Sequence, residues 1–385
     1  MLKIAKKLLE EVSTKLGRVL NGNNTALPIL DSVKIDVNEQ CVIFTASNGI
    51  DSTVVNLKLA NYEEEIIVER PFTICLPKKS FSTISKLKNG MVEIIVEESS
   101  TQVLFKQNKT QLAFPLFDVQ EYPSITPQGK PLVHFTMNYG IFSEIVNNTT
   151  FAAATSDSRP ALTGVNLVVQ NQQNGVTFEA SCTDAHRLGR VTSISKIDDS
   201  QPKHQVIIPA VTLVGILKSF DKSDVGVAVY QNTVAFVNAN VIAFTRLIEG
   251  NYPDVNKIIP TANEHIVKLP TMEVIESLEL IKALKESRDA IFTFTAENVT
   301  VTSRVGLGSG SKAVQEINLI DTTTAEYAIG LNIDYMLNAL KTVKTDNVRF
   351  EMSGALRPVL VYPENTSEDI LTVDVTQLVL PIRVI

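Results

Sequence analysis

One stretch occurs three times. Residues 76–88 read LPKKSFSTISKLK, residues 208–220 read IPAVTLVGILKSF, and residues 331–343 read LNIDYMLNALKTV. Aligned on Pro77, Pro209 and Asn332, each copy has an apolar residue four positions on (Phe81, Leu213, Met336) and seven on (Ile84, Ile216, Ala339). Eight on, Leu217 and Leu340 agree and Ser85 does not. That spacing is the buried stripe of a short helix. A strand-like run such as HQVIIP precedes the motif, and a β-rich segment such as DNVRFEM follows it. The copies are separated by 132 residues (209 − 77) and 123 residues (332 − 209), and Tyr122-Pro123 and Tyr252-Pro253 are 130 apart (252 − 122). Such a period is far longer than a solenoid repeat. Each copy is therefore a whole domain.

The starts of the three segments agree as well. Ile4, Leu8, Val12, Leu16 and Val19 share one helical face, as do Ile141, Ile145 and Phe151, and then Val274, Leu278, Ile281 and Leu284. Runs such as SVKIDV, CVIFTAS, STVVNLKL, VTFEAS, IFTFTAE and VTVTS alternate apolar and polar residues, the pattern of antiparallel sheets with one wet face. The class is α+β: three similar domains, each with two helices packed on antiparallel sheets. Boundaries fall in the Pro- and Gly-bearing segments SITPQGKP and IIPTANEH, giving domains over 1–127, 128–259 and 260–385.

Composition narrows the class of function. Cys41, Cys75 and Cys182 are odd in number and far apart, without a CxxC pair, and His134, His186, His204 and His265 lack metal-ligand spacing. Neither a disulfide framework nor a zinc site is supported, and no cofactor is expected. No run of about 18 apolar residues occurs and the charged N-terminus is no signal peptide, so the expected location is the cytoplasm. Net charge is −7 over 385 residues, which argues against a tight, free-standing nucleic-acid binder. It leaves room for a chain that is acidic outside and basic on one inner face. The helices do carry lysines: Lys3, Lys6, Lys7, Lys15 and Arg18 on the first, Lys78, Lys79, Lys86 and Lys88 on the second, and Lys218, Lys222, Lys282, Lys285, Lys341 and Lys344 on the others. These side chains can meet phosphates without reading bases, or simply solvate a helix face.

Five segments decide between those readings. SRPALTGVNLVV, TDAHRLGRV, TRLIEGNYPDVNKIIP, MSGALRPVLVYP and LVLPIRVI occur in this order and spacing. Together they closely resemble the bacterial DNA polymerase III beta subunit, the sliding clamp, over essentially the whole chain, nearest to clamps of low-GC Gram-positive bacteria. The resemblance implies the DNA clamp fold, a head-to-tail homodimer closed as a ring, and duplex DNA passing through it unread. It implies a non-catalytic processivity factor with three kinds of partner: the DNA polymerase III alpha subunit, a separate ATP-driven clamp loader, and other proteins bearing a clamp-binding motif. Lys3, Lys7, Lys15, Lys78, Lys79, Lys218 and Lys341 would face DNA. The dimer interface would lie at Leu112 against Ile281 and Leu284.

The resemblance further implies a peptide pocket between the second and third domains. Its wall would include Leu162, Thr183, His186, Arg187, Leu188, Pro253 and Ile258. The third domain would add Asn332, Tyr335, Leu356, Pro358, Leu378, Leu380, Pro381, Ile382 and Arg383. An apolar cleft with a few polar groups is what captures a short motif of one Gln and some large apolar residues. The chain departs from the family pattern at Lys257 (often arginine), Ala185 (Gly or Ser) and Asn24 (arginine in some clamps), and it runs past Arg383 into Val384 and Ile385. An accessory or mobile-element paralogue fits the same residues.

Two other classes stay open from the residues alone. Asp184 and His186 lie two apart and would share a strand face, where an acid could orient a base, although no nucleophile in a recognisable turn accompanies them. Gly306, Gly308 and Gly310 imitate a phosphate loop, but no Lys-hydroxyl ending follows and a hairpin turn suits them better. A monomeric protein-binding scaffold would keep the pocket and lose the ring.

Overall fold

A computed structural model describes residues 1–20, 27–97, 100–156, 158–172, 175–195, 203–285, 287–304, 311–323, 326–364 and 373–383. Asn24, the three glycines of 305–310, Val384 and Ile385 lie outside these residues.

The first repeat runs β1 (Leu2–Ala5), α1 (Lys6–Leu20), β2 (Ser32–Val37), β3 (Cys41–Ser47), β4 (Asp51–Lys58), β5 (Ile66–Val68) and β6 (Phe72–Pro77). It then continues through α2 (Lys79–Ile84), β7 (Met91–Val96), β8 (Gln102–Gln107) and β9 (Thr110–Pro115). In the second repeat β10 (Val133–Met137) leads to α3 (Tyr139–Thr149), β11 (Gly164–Gln172), β12 (Gly175–Thr183), β13 (Arg187–Ser195) and β14 (His204–Pro209). After these come α4 (Ala210–Ser219), β15 (Val225–Val229), β16 (Thr233–Asn238) and β17 (Val241–Arg246). The third begins β18 (His265–Pro270), α5 (Thr271–Ala283), β19 (Asp289–Phe294), β20 (Asn298–Ser303), β21 (Val314–Asn318), β22 (Asp321–Thr322) and β23 (Tyr327–Asn332). It closes with α6 (Ile333–Leu340), β24 (Asn347–Met352), β25 (Val359–Pro363), β26 (Val373–Val379) and β27 (Pro381–Ile382).

Setting aside the short β5, β22 and β27, each repeat has the same order: strand, helix, four strands, helix, three strands. Pairing repeats too. One four-strand set is ordered β6-β2-β3-β4, then β14-β11-β12-β13, then β23-β19-β20-β21. The other is ordered β1-β7-β8-β9, then β10-β15-β16-β17, then β18-β24-β25-β26. All strand pairs of these sets are antiparallel, as their alternating burial requires. The sets also join: β4 pairs with β17, and β13 pairs with β26. Backbone contacts group the chain into two compact units, 1–140 with 212–247 and 141–211 with 248–385. The strands of the middle repeat are shared, four to each unit.

The helix stripes are buried as their spacing demands. Phe81, Ile84, Leu213, Ile216, Met336 and Ala339 are all in the core, and so are Leu8, Val12, Leu16, Val19, Val274 and Leu278. Each of these side chains except that of Ala339 contributes about 1.5–3 kcal/mol when fully removed from water. The first repeat differs in one respect from the sequence expectation. Ile4 and Lys3 belong to β1, which runs straight into α1. Ile4 is buried there as an alternating strand residue, and its spacing to Leu8 only imitates a helical stripe.

Candidate functional site

In the second unit a cavity of about 560 Å³ opens beside the β12–β13 turn. The turn is built from its own side chains. Asp184 Oδ1 accepts the backbone N–H of His186 at 2.9 Å and of Arg187 at 3.0 Å. Its other oxygen takes Arg187 Nε at 2.9 Å. Ala185 sits at φ 76°, a left-handed conformation that disfavours any side chain. Thr183 Oγ1 accepts the Ala185 N–H and donates to the Arg187 carbonyl at 2.6 Å. Behind it, Tyr252 Oη accepts the Thr183 N–H at 2.9 Å. Burial raises the Tyr252 hydroxyl and pushes the neighbouring Cys182 thiol up to about 12.

This scaffold holds the Arg187 guanidinium 4.6 Å from the Tyr335 ring centre and 5.9 Å from that of Phe151. Both are cation–π distances. Arg187 Nη1 is buried and has no hydrogen-bond partner among the described residues. The His186 ring stacks on Tyr335 at 6.1 Å, and the His186 carbonyl accepts the Leu380 N–H at 2.8 Å. Asn332 caps α6, its side chain accepting the Tyr335 N–H at 3.1 Å. Capping fixes the turn that presents Tyr335.

Of the expected wall, Leu162, His186, Arg187 and Tyr335 line the cavity. Thr183 is buried beneath the turn. Leu188 and Leu378 are buried with Val255 and Leu360 in a separate apolar cluster, so they support the wall from behind and do not face an occupant. Leu356 (68% exposed), Ile258 (49%) and Leu380 (37%) stand open to solvent. Pro358, Pro381 and Ile382 are half-buried, and Pro253 and Arg383 exposed. None of these last eight lines the cavity. Lys257 is exposed and pairs with Asp254 at 3.3 Å. Ala153, Ala154, Thr155, Ser156, Ser158 and Arg159 also line the cavity and were not among the expected residues, of which this neighbourhood supplied Leu162 alone. The acid–base reading of Asp184 and His186 fails on geometry: both Asp184 oxygens are engaged by Arg187 and the turn's own amides, and none reaches the imidazole.

The lysines fare unevenly. Lys7, Lys15 and Lys218 share one groove of the first unit with Glu10, Glu11 and Asp221. Lys15 donates to Asn240 at 2.8 Å. Lys79 is exposed. Lys3 stands on β1 between Glu69 and Glu93, at 3.8 and 3.4 Å. Lys78 pairs with Asp31 and Lys341 with Glu279, each at 2.7 Å. Arg18, read from the sequence as part of the wet face, is largely buried against Asp51. Of the interface residues, Leu112 is half-buried on β9, a strand with one partner among the described residues. Leu284 is half-exposed just past α5, but Ile281 is 0% exposed in the core and offers nothing to a partner.

Three consecutive family models cover the chain: DNA polymerase III beta subunit N-terminal domain over 2–126, central domain over 136–254 and C-terminal domain over 256–383. The chain belongs to the DNA polymerase III beta subunit family. The beta sliding clamp of Bacillus subtilis is 28% identical over 98% of this chain and 97% of its own length. That of Streptococcus pneumoniae TIGR4 is 27% identical over 99% and 98%. Crystal structures of the B. subtilis clamp (TM-score 0.88, 27% identity) and the S. pneumoniae beta chain (TM-score 0.87, 26% identity) each match 100% of this chain and 99% of their own. A Pseudomonas aeruginosa clamp solved with griselimycin bound shares the fold at 23% identity. As a beta subunit the chain is a three-domain α+β clamp protein and functions as a sliding clamp, a non-catalytic processivity factor of replication. No helix among the described residues is long and apolar enough to cross a membrane.

Proposed function

We propose that two copies of this chain close head to tail into a ring that encircles duplex DNA, and that the cavity beside Arg187 takes a short peptide from the polymerase and other partners. The strand pairing supports the ring. Joining β4 to β17 and β13 to β26 leaves β9 and β21 with one partner each among the described residues. The same step applied once more sets β21 of one copy against β9 of the next. A heterologous contact that closes after two copies makes a ring and pairs these two strand edges. Leu112 lies on β9, and Leu284 is the expected contact from the third domain. We place the domain boundaries at 127/128 and 259/260, a division supported by separate family matches over 2–126, 136–254 and 256–383.

The single observation that carries the pocket reading is Arg187. A guanidinium packed between Tyr335 and Phe151 with Nη1 unpartnered is costly unless an acceptor arrives. A peptide carbonyl or amide oxygen supplies one, while apolar anchors cover the open Leu380. Partners then comprise duplex DNA, the polymerase alpha subunit, a clamp loader and other motif-bearing proteins in the cytoplasm. Lys7, Lys15, Lys79 and Lys218 meet the phosphates. The test of encirclement is retention after loading on DNA of two topologies. A ring stays on nicked circular DNA and runs off linear DNA of the same length; equal retention on both rejects it.

A further inference from the structure

The turn that frames the cavity beside Arg187 has a twin. Asn48 Oδ1 accepts the N–H groups of Ile50 (3.0 Å) and Asp51 (2.8 Å), repeating the Asp184 turn bond for bond. Gly49 takes the left-handed position that Ala185 takes there, at φ 86° against 76°. Sheet register agrees: Asp51 lies opposite Thr245 as Arg187 lies opposite Val379, so Arg246 follows where Leu380 does. Helix register agrees as well. Thr212 is three residues past Pro209, as Tyr335 is past Asn332, and Arg18 is two past buried Leu16, as Phe151 is past buried Thr149.

The backbone is thus repeated while the chemistry is reversed. Where Arg187 has Phe151 and Tyr335 against its guanidinium and Leu380 bonded to the turn, the twin has Asp51 with Arg18, Thr212 and Arg246 in the corresponding places. Arg18 Nη2 reaches Asp51 Oδ2 at 2.5 Å and Thr212 Oγ1 at 2.6 Å, and Thr212 Oγ1 donates to Asp51 Oδ1 at 3.2 Å. Its stem lies on Gly215, where a Cβ would fall 1.8 Å from Arg18 Cδ. The helix gives up its side chain at that point to seat the arginine. The space that aromatic rings border in one copy is filled in the other by a paired guanidinium, rimmed by a second, exposed arginine. Apolar anchors find no wall there, and displacing the plug leaves a carboxylate buried without its partner.

We infer that Arg18, Asp51, Thr212 and Arg246 are specificity-determining residues: they close the first copy of a duplicated docking geometry and restrict each subunit to one partner peptide. This rests on the pocket reading above. The test titrates a polymerase-derived peptide bearing Gln and large apolar residues into the full-length chain by calorimetry. Wild type binds one peptide per chain. The graft R18F/D51R/T212Y/R246L binds two, the second weaker by about 10- to 100-fold because it gains anchors without the surrounding contacts. Adding L380D to the graft leaves only that weaker site. A smaller variant, R18A/D51A, removes plug and partner together, strands no charge, and gives a weak second phase even if the graft does not fold. No peptide on the wild-type chain sinks the pocket reading itself. One site on wild type with none added in either variant overturns the assignment of these four residues.

Discussion

Single residues carry two predictions, one at the site and one in the core. Leu380 is exposed beside the His186 carbonyl, so a carboxylate placed there confronts any apolar anchor with a charge to desolvate. Leu380→Asp is expected to weaken peptide binding at least about 30-fold, the scale of a lost hot spot, while mass in solution stays at the dimer value. Fluorescence polarisation with sedimentation reads both. In the core, burial pushes the thiols of Cys75 up to about 11 and Cys182 up to about 12, and raises Tyr122 and Tyr252. The unfolded chain ionises its thiols near pH 9 and the folded chain does not, so above that pH the folded state binds more protons. Stability is therefore fully present below about pH 9 and lost as pH rises through the folded values. The two thiols together cost roughly 2–3 kcal/mol between pH 8 and 10. Urea midpoints across that range should fall, and the double variant C75A/C182A should flatten the decline.

Elements show what a sequence can and cannot disclose. Helix stripes such as Leu8–Val12–Leu16 and strands such as SVKIDV were legible because burial imposes a period on the chain. Ile4 was misread because a buried strand residue four before Leu8 satisfies the helical period by accident. Lys3, Lys78 and Lys341 gave no hint of their acidic partners, which arrive from other elements. Residues 153–156, 158 and 159 follow no apolar period, so the sequence does not announce their share of the cavity lining. Ile281 obeyed its stripe, and that burial is why it cannot serve an interface. Glycines divide the same way. Gly17 lies inside α1 with nothing within 4 Å of a Cβ, whereas on β13 a Gly189 Cβ would meet the Asn148 carbonyl oxygen at 2.1 Å and the Thr149 Cα at 2.9 Å. Backbone cannot retreat as a flexible side chain can. Gly17→Ala should stabilise by about 0.5–1 kcal/mol through helix propensity. Gly189→Ala should destabilise by about 3 kcal/mol or abolish folding. Denaturant midpoints of the pair distinguish strand packing from glycine content as the reason.

For the whole molecule, charge and topology make opposite demands that one experiment separates. The chain carries a net −7, and several of its helix lysines are already neutralised, Lys341 by Glu279, Lys344 by Glu144 and Lys282 by Asp334. Of the lysines assigned to DNA, Lys7, Lys15 and Lys218 around their groove, with Lys79, are the ones that form no ion pair among the described residues. Direct affinity for duplex DNA should accordingly be weak, with a slope of log K against log salt of about −2 to −4, since each phosphate contact adds about −0.9. Salt near 0.5 M should remove the protein from linear duplex entirely. Encirclement obeys no such law, because leaving a closed circle requires the subunits to part. Loaded protein should therefore persist on a nicked circle at the same salt. K7E/K218E should flatten the linear-DNA slope by about 2 and leave high-salt retention on the circle unchanged. Loss of retention in parallel with the slope would mean that electrostatics alone holds the protein to DNA, and the ring would have no part in it.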